Sequence, residues 1–232
     1  MAESEVKVGP LQSTFLTLVL KTFAGVGGGI VGTLILLAFF LLGASILQPV
    51  LTGGTEEMPP LFIFLFVAMI FLTSLASNIV GPLLFTYVQN DKYMKPTTII
   101  TQIFILNLVI LGIMAPVYVV SLGLGLPVIA FLAGIHVMIS ALASMMVLEV
   151  IGNPRYALLG VYGSVFSILF ATGILFLFYQ FSGEKLVILL FITLPIIWMF
   201  MGFIGSIVEM FYFWLFRIYG SDFLASSTSF GK

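Results

Sequence analysis

LGLPVIAFLAGIHVMISALASMMVLEVIG, residues Leu124 to Gly152, decides the fold. As a helix it would run about 43 Å at 1.5 Å per residue, more than the ~30 Å hydrocarbon core of a bilayer. It carries the chain's only histidine, His136, and an acid, Glu149, inside an otherwise apolar run. The rest of the chain repeats the pattern of hydrophobic stretches joined by short polar segments.

Composition says what the solvent is. Hydrophobic residues make up 61% of the 232 residues, charged residues 7%, and mean hydropathy is +1.28. A soluble domain carries roughly 25% charge, and one of this size must show water a polar skin. This chain has too little polar surface for that, so lipid is its solvent. In lipid only helices and closed barrels satisfy the backbone. Barrel strands alternate apolar and polar residues, whereas these runs are unbroken. The fold class is therefore all-α: a polytopic membrane protein of about six transmembrane helices in a bundle.

Working outward, span one is expected at about 28–48, span two at Leu61–Val88, span three at Thr97–Val120, span five at Ala157–Phe181 and span six at Leu186–Arg217. Ser121–Gly125 reads as a tight, uncharged turn. Ahead of span one, Ser13, Thr17 and Lys21 recur at helical spacing, which suggests an N-terminal interfacial helix. A break is expected in the glycine run Gly25-Val-Gly-Gly-Gly29, because a continuous helix from Leu11 to Leu47 would run about 55 Å. The domain organisation expected is a tail over 1–10, one transmembrane domain over 11–219 and a tail over 220–232. The acidic-leaning start, MAESEVKVGPLQ, carries no convincing cleavage site, so no cleaved signal peptide is expected.

Topology follows from the basic residues. With six spans, Lys7, Lys21, Lys92, Lys95, Arg155, Arg217 and Lys232 share the side of the termini, seven of the eight Lys and Arg residues, and only Lys185 lies opposite. The positive side is cytoplasmic. The expectation is a multi-pass protein of a bacterial or archaeal cytoplasmic membrane with both termini inside.

Several function classes are excluded or weak. A net charge of −1 gives no basic patch for nucleic acid. Absent cysteine removes disulfides, thiol chemistry and cysteine metal sites. There is no HExxH or GxSxG, and the glycine run lacks the Lys-Ser/Thr ending of a phosphate loop. His136 and Ser140 share a helix face without an orienting acid, which is weak ground for nucleophilic catalysis. No cofactor or metal is expected, and the chain reads as non-enzymatic.

The polar groups within the spans are the candidates for function. His136 shares a stripe with Ala133, Ser140 and Ser144, and small residues on one stripe face other helices. Glu149 sits near the terminus-side boundary, where Arg155 could pair with it, and lies some 140° around the helix from His136. Glu209 lies eight residues before Arg217 on a face with Trp198, Gly202, Gly205 and Ser206. A carboxylate there is paired, with Lys21, Arg155 or a polar helix, or else protonated. Asn78, one turn before Pro82, and Asn107 complete an ion, proton or ligand path of Glu209, His136, Asn78 and Asn107. Gly25, Gly28, Gly29, Gly32, Gly202 and Gly205 are expected at close helix contacts. Thr73-Ser-Leu-Ala-Ser77 recurs as Ser140-Ala-Leu-Ala-Ser144, too slight a likeness to establish a repeat. Gly81-Pro-Leu-Leu-Phe85 resembles a short motif of Yip-family membrane proteins. The likeness covers those five residues, the remaining pattern does not follow, and nothing is carried over from it.

Two readings follow. The first is a structural or accessory subunit of a membrane assembly, whose partners are the lipid bilayer and other membrane subunits or a second copy. The second is a small transporter or channel with a polar path near Glu209 and His136.

Overall fold

The structure is a computed structural model that describes residues 15–45, 60–89, 95–152, 157–182 and 186–219. Six helices carry these residues: α1 Phe15–Leu42, α2 Pro60–Gln89, α3 Pro96–Val120, α4 Leu126–Gly152, α5 Ala157–Ser182 and α6 Leu186–Tyr219. All six contain a stretch long and apolar enough to cross a membrane, and no strand occurs among the described residues. The protein is a multi-pass helical membrane protein. The tails expected over 1–10 and 220–232 lie outside the described residues.

Helix ends follow local chemistry. Pro96 opens α3 at a position where its missing N–H costs nothing. The short 3-10 turn Ser121–Leu124 joins α3 to α4, and Gly125 ends it at φ 87°, a conformation that favours glycine.

The N-terminal expectation is corrected. α1 is one helix from Phe15 to Leu42, so among the described residues 15–24 continue into the span rather than form a separate interfacial segment, and the glycine run does not break the helix. The reason is packing. Glycine is a poor helix former in isolation, but here the missing side chains let two other helices reach the α1 backbone. An added Cβ would meet the Trp198 carbonyl at Gly25 and the Pro195 backbone at Gly29. At Gly28 it would come within 2.7 Å of the Gly81 Cα, and at Gly32 within 2.8 Å of the Ser77 Cβ. On α6, a Cβ at Gly202 would meet the Lys21 carbonyl. The contacts run in register: 21 with 202, 25 with 198 and 29 with 195 against α6, then 28 with 81 and 32 with 77 against α2. Both pairings are antiparallel. α1 is thus inlaid between α2 and α6, one row of glycines toward each.

Pro195 deepens this contact. A proline inside a helix cannot bond the carbonyl four residues back, here that of Phe191. The Thr33 hydroxyl of α1 donates to the Phe191 carbonyl at 2.9 Å. The backbone group that the proline frees is therefore satisfied by the helix packed against it, as a lipid environment requires.

The outer helices are less embedded. α3 packs chiefly on α2 and α4, and α5 on α4 and α6. Their outward faces are large and apolar: Phe104, Leu108 and Ile113 on α3, and Leu158, Phe166 and Phe176 on α5. Such faces suit lipid. The core between the helices holds Phe62, Phe66, Met69, Ile103, Ile129, Ile197, Trp198 and Met201.

Candidate functional site

Two polar systems lie inside the bundle, at different depths. The first is at the end where α1 begins and α6 ends. Lys21 stands one turn before Gly25 on the α1 face that meets α6. Its ammonium donates to both carboxylate oxygens of Glu209 at 3.1 Å. Lys21 is 3% exposed and the Glu209 side chain 16%. Of the partners expected for Glu209, Lys21 is the one that holds it. An unpaired charge at this depth would be costly, and a two-oxygen contact with an ammonium compensates it.

Beside the pair is a small pocket of about 10 Å³, room for roughly one water. Its polar lining is Lys21, Glu209, Glu149 and Ser164, and Gly160, Gly163 and Gly205 supply backbone wall. The glycines create it. A Cβ at Gly205 would meet nothing within 4 Å, so this glycine borders space. At Gly160 a Cβ would collide with the Glu149 side chain, which lies across that backbone. Phe85, Met145 and Met201 form the apolar inner wall.

The second system lies mid-bundle, where α2, α3 and α4 meet. Asn78 of α2 donates through Nδ2 to Ser74 Oγ at 3.2 Å and to Asn107 Oδ1 at 2.9 Å. Asn107 of α3 donates to the Ile103 carbonyl at 2.8 Å and to Ser144 Oγ of α4 at 3.1 Å. Ser74 and Ser140 share a 2.6 Å hydrogen bond, and Ser140 donates to the Val137 carbonyl at 3.1 Å. Both amide N–H groups of each asparagine are thereby used. One turn outward from Ser140, His136 Nδ1 lies 3.3 Å from the Tyr118 hydroxyl. Ser74, Asn78, Asn107, His136, Ser140 and Ser144 are at most 1% exposed. The similar segments 73–77 and 140–144 therefore face each other across the α2–α4 contact.

The structure brings Asn78 and Asn107 into direct contact and puts His136 in the same column. Glu209 lies apart from them, beyond Phe85, Met145 and Met201. Gly25, Gly28, Gly29, Gly32 and Gly202 stand at backbone contacts, and Gly205 both borders the pocket and packs against α5, where a Cβ added at Gly163 would come within 3.3 Å of its Cα. The participants that sequence reading does not single out as site residues include Tyr118, Ser74, Lys21 and Glu149. Tyr118 resembles any interfacial tyrosine in a sequence, and Ser74 any small residue. Lys21 offered a signal, since a lysine within an apolar helical run needs a partner. Glu149, expected near the terminus-side boundary, lines the pocket. It has an interaction of its own, and Arg155, its expected partner, lies outside the described residues. No group of three or more His, Asp or Glu side chains that could hold a metal occurs among the described residues.

The chain matches no known protein family, no curated protein and no solved structure.

Proposed function

We propose that this chain is a non-enzymatic integral membrane protein serving as a structural or accessory subunit of a membrane assembly, with both termini in the cytoplasm. The observation that supports this is the α1 inlay. Backbone meets backbone along α1–α2 and α1–α6, and the Lys21–Glu209 pair spends its charges on joining two helices. Such packing favours a rigid unit that presents apolar faces to lipid and to other subunits. The test is purification in mild detergent under conditions that keep complexes intact. A stoichiometric membrane partner, or a defined homo-oligomer, supports the reading. A monodisperse monomer that moves a solute in proteoliposomes refutes it.

A second reading, a small transporter or channel, draws on a different observation. The pocket places Glu209 and Glu149 within reach of the terminus-side surface, and a column of buried polar side chains stands beyond its inner wall. Transport along this route would use Glu209, Asn78, Asn107 and His136. Flux of protons, sodium or a small solute into proteoliposomes tests it, and absence of all three ends it.

A further inference from the structure

α3 exposes two kinds of surface. Phe104 and Leu108 are bulky and apolar and suit lipid. Beside them runs a second stripe, Gln102, Ile105, Val109, Gly112, Pro116 and Val119, every member exposed. It lies away from the side that Ile103, Asn107, Ile110 and Met114 bury in the bundle. Its members are spaced 3, 4, 3, 4 and 3 residues apart. That alternation is the 3.5-residue period with which one helix meets another at a shallow left-handed crossing.

Two polar groups interrupt this stripe. Gln102 puts an amide on it. Pro116 cannot bond the carbonyl four residues back, which is that of Gly112 on the same stripe. Gly112 lies about 24 Å from the start of α3 and about 12 Å from its end, inside the hydrocarbon. A side chain can stretch toward the headgroups, but a backbone carbonyl cannot, and left alone in lipid it is costly. α6 shows how this chain meets the same problem. There the carbonyl that Pro195 frees accepts from Thr33 of the helix packed against it. At Gly112 an added Cβ would meet nothing within 4 Å, so no described helix stands against it. α5 gives the contrast. Its outward residues Leu158, Phe166, Phe170 and Phe176 are apolar. The exposed Thr172 hydroxyl donates to the Ile168 carbonyl of its own helix. The α5 face is complete in lipid, and the α3 stripe is not.

We propose that the α3 stripe from Gln102 to Val119 is a dimer interface, on which a second copy of this chain docks with its own α3, parallel and at a left-handed crossing. The inference rests on the reading of the chain as a subunit of a membrane assembly, and it names the partner. Both copies insert the same way, so their twofold axis stands along the bilayer normal and each stripe residue meets its own copy. An amide is its own complement, because it both donates and accepts. Gln102 against Gln102 closes a reciprocal pair, whereas an apolar partner would leave the amide empty. Gly112 against Gly112 lets the two backbones approach, and each Cα–H group then reaches the carbonyl freed on the other copy. Charge does not oppose the pairing, since no charged residue occurs from Pro96 to Val120.

The cysteine-free chain suits a direct test. Single cysteines at Ile105, Val109 and Gly112 should form disulfide-linked dimers when membranes are mildly oxidised. Cysteines at Phe104 and Phe166, equally open to lipid, should leave monomers. In liposomes at increasing lipid dilution, with copies counted by photobleaching steps, Gln102→Leu should weaken dimerisation about tenfold. Gly112→Leu should fold, since nothing in its own chain stands there, yet remain monomeric. Cross-linking as strong at Phe104 or Phe166 as on the stripe, or dimers that survive Gly112→Leu, overturns the α3 interface and leaves the subunit reading standing. So does a single copy of this chain bound stoichiometrically to a different membrane protein. A monomer that moves a solute in proteoliposomes overturns both.

Discussion

An ammonium and a carboxylate buried among glycines join two helices only while both carry charge. Removing one partner strands the other, which in a buried pair costs about 3–5 kcal/mol. Glu209 keeps 16% exposure, so the lower end applies. Glu209→Gln should cost about 3 kcal/mol and lower the melting temperature in detergent, and Lys21→Met should do the same. The double variant should recover to within about 1 kcal/mol of wild type, because neither charge is left behind. Additive losses in the double variant would show that the pair is not what anchors α1 to α6. The mid-membrane network predicts a smaller effect. Interhelical hydrogen bonds in membranes are worth about 0.6 kcal/mol each on average. Asn107→Ala removes two of them, to Asn78 and Ser144. A loss of about 1–2 kcal/mol in the same melting measurement is expected, and no loss would mean that water replaces the amide fully. At this scale the sequence was informative wherever a polar residue interrupted an apolar run. Lys21, Asn78, Asn107, His136 and Glu209 were all visible that way. Which of them would meet was not, because partners such as Lys21 and Glu209 are 188 residues apart in the chain.

At the scale of elements, hydropathy alone located the helices, since a membrane span is a length requirement and the chain meets it six times. Five of the six spans fall within two residues of the observed helices at both ends. The exception, α1, shows where such reading fails. Its glycine run looks like a helix breaker in isolation, and only the backbones of α2 and α6 against it explain why the helix continues. That difference is measurable. Gly29→Leu should prevent α1 from seating against Pro195 and abolish folded protein in detergent. Gly112→Ala and Gly173→Ala, where an added Cβ meets nothing within 4 Å, should be neutral or raise stability by up to about 1 kcal/mol. Thr33→Val tests the same interface through its hydrogen bond. Losing the donor to the Phe191 carbonyl should cost about 1 kcal/mol, whereas Thr193→Val, whose hydroxyl bonds a carbonyl of its own helix, should cost less.

For the whole molecule, the remaining question is which way the bundle faces. The count of basic residues needs one correction. Lys21 is buried and neutralised by Glu209, so it is no loop charge, and seven on the terminus side become six, against Lys185 alone on the other. The bias survives, and loop charges of this kind decide orientation. With the termini in the cytoplasm, as proposed, the pocket would open toward the cytoplasm, because Lys21 near the start of α1 and Glu209 near the end of α6 lie on the side of the termini. The Tyr118–His136 contact lies toward the opposite face, close to the turn between α3 and α4. The absence of native cysteine makes the test clean. Cysteine is introduced singly at Thr55, between α1 and α2, and at Ser226, beyond α6, and intact cells are treated with an impermeant thiol reagent. Thr55→Cys should label and Ser226→Cys only after the membrane is opened. The reverse pattern would turn the bundle over, place Lys185 as the only basic residue in the cytoplasm, and open the Glu209 pocket to the outside.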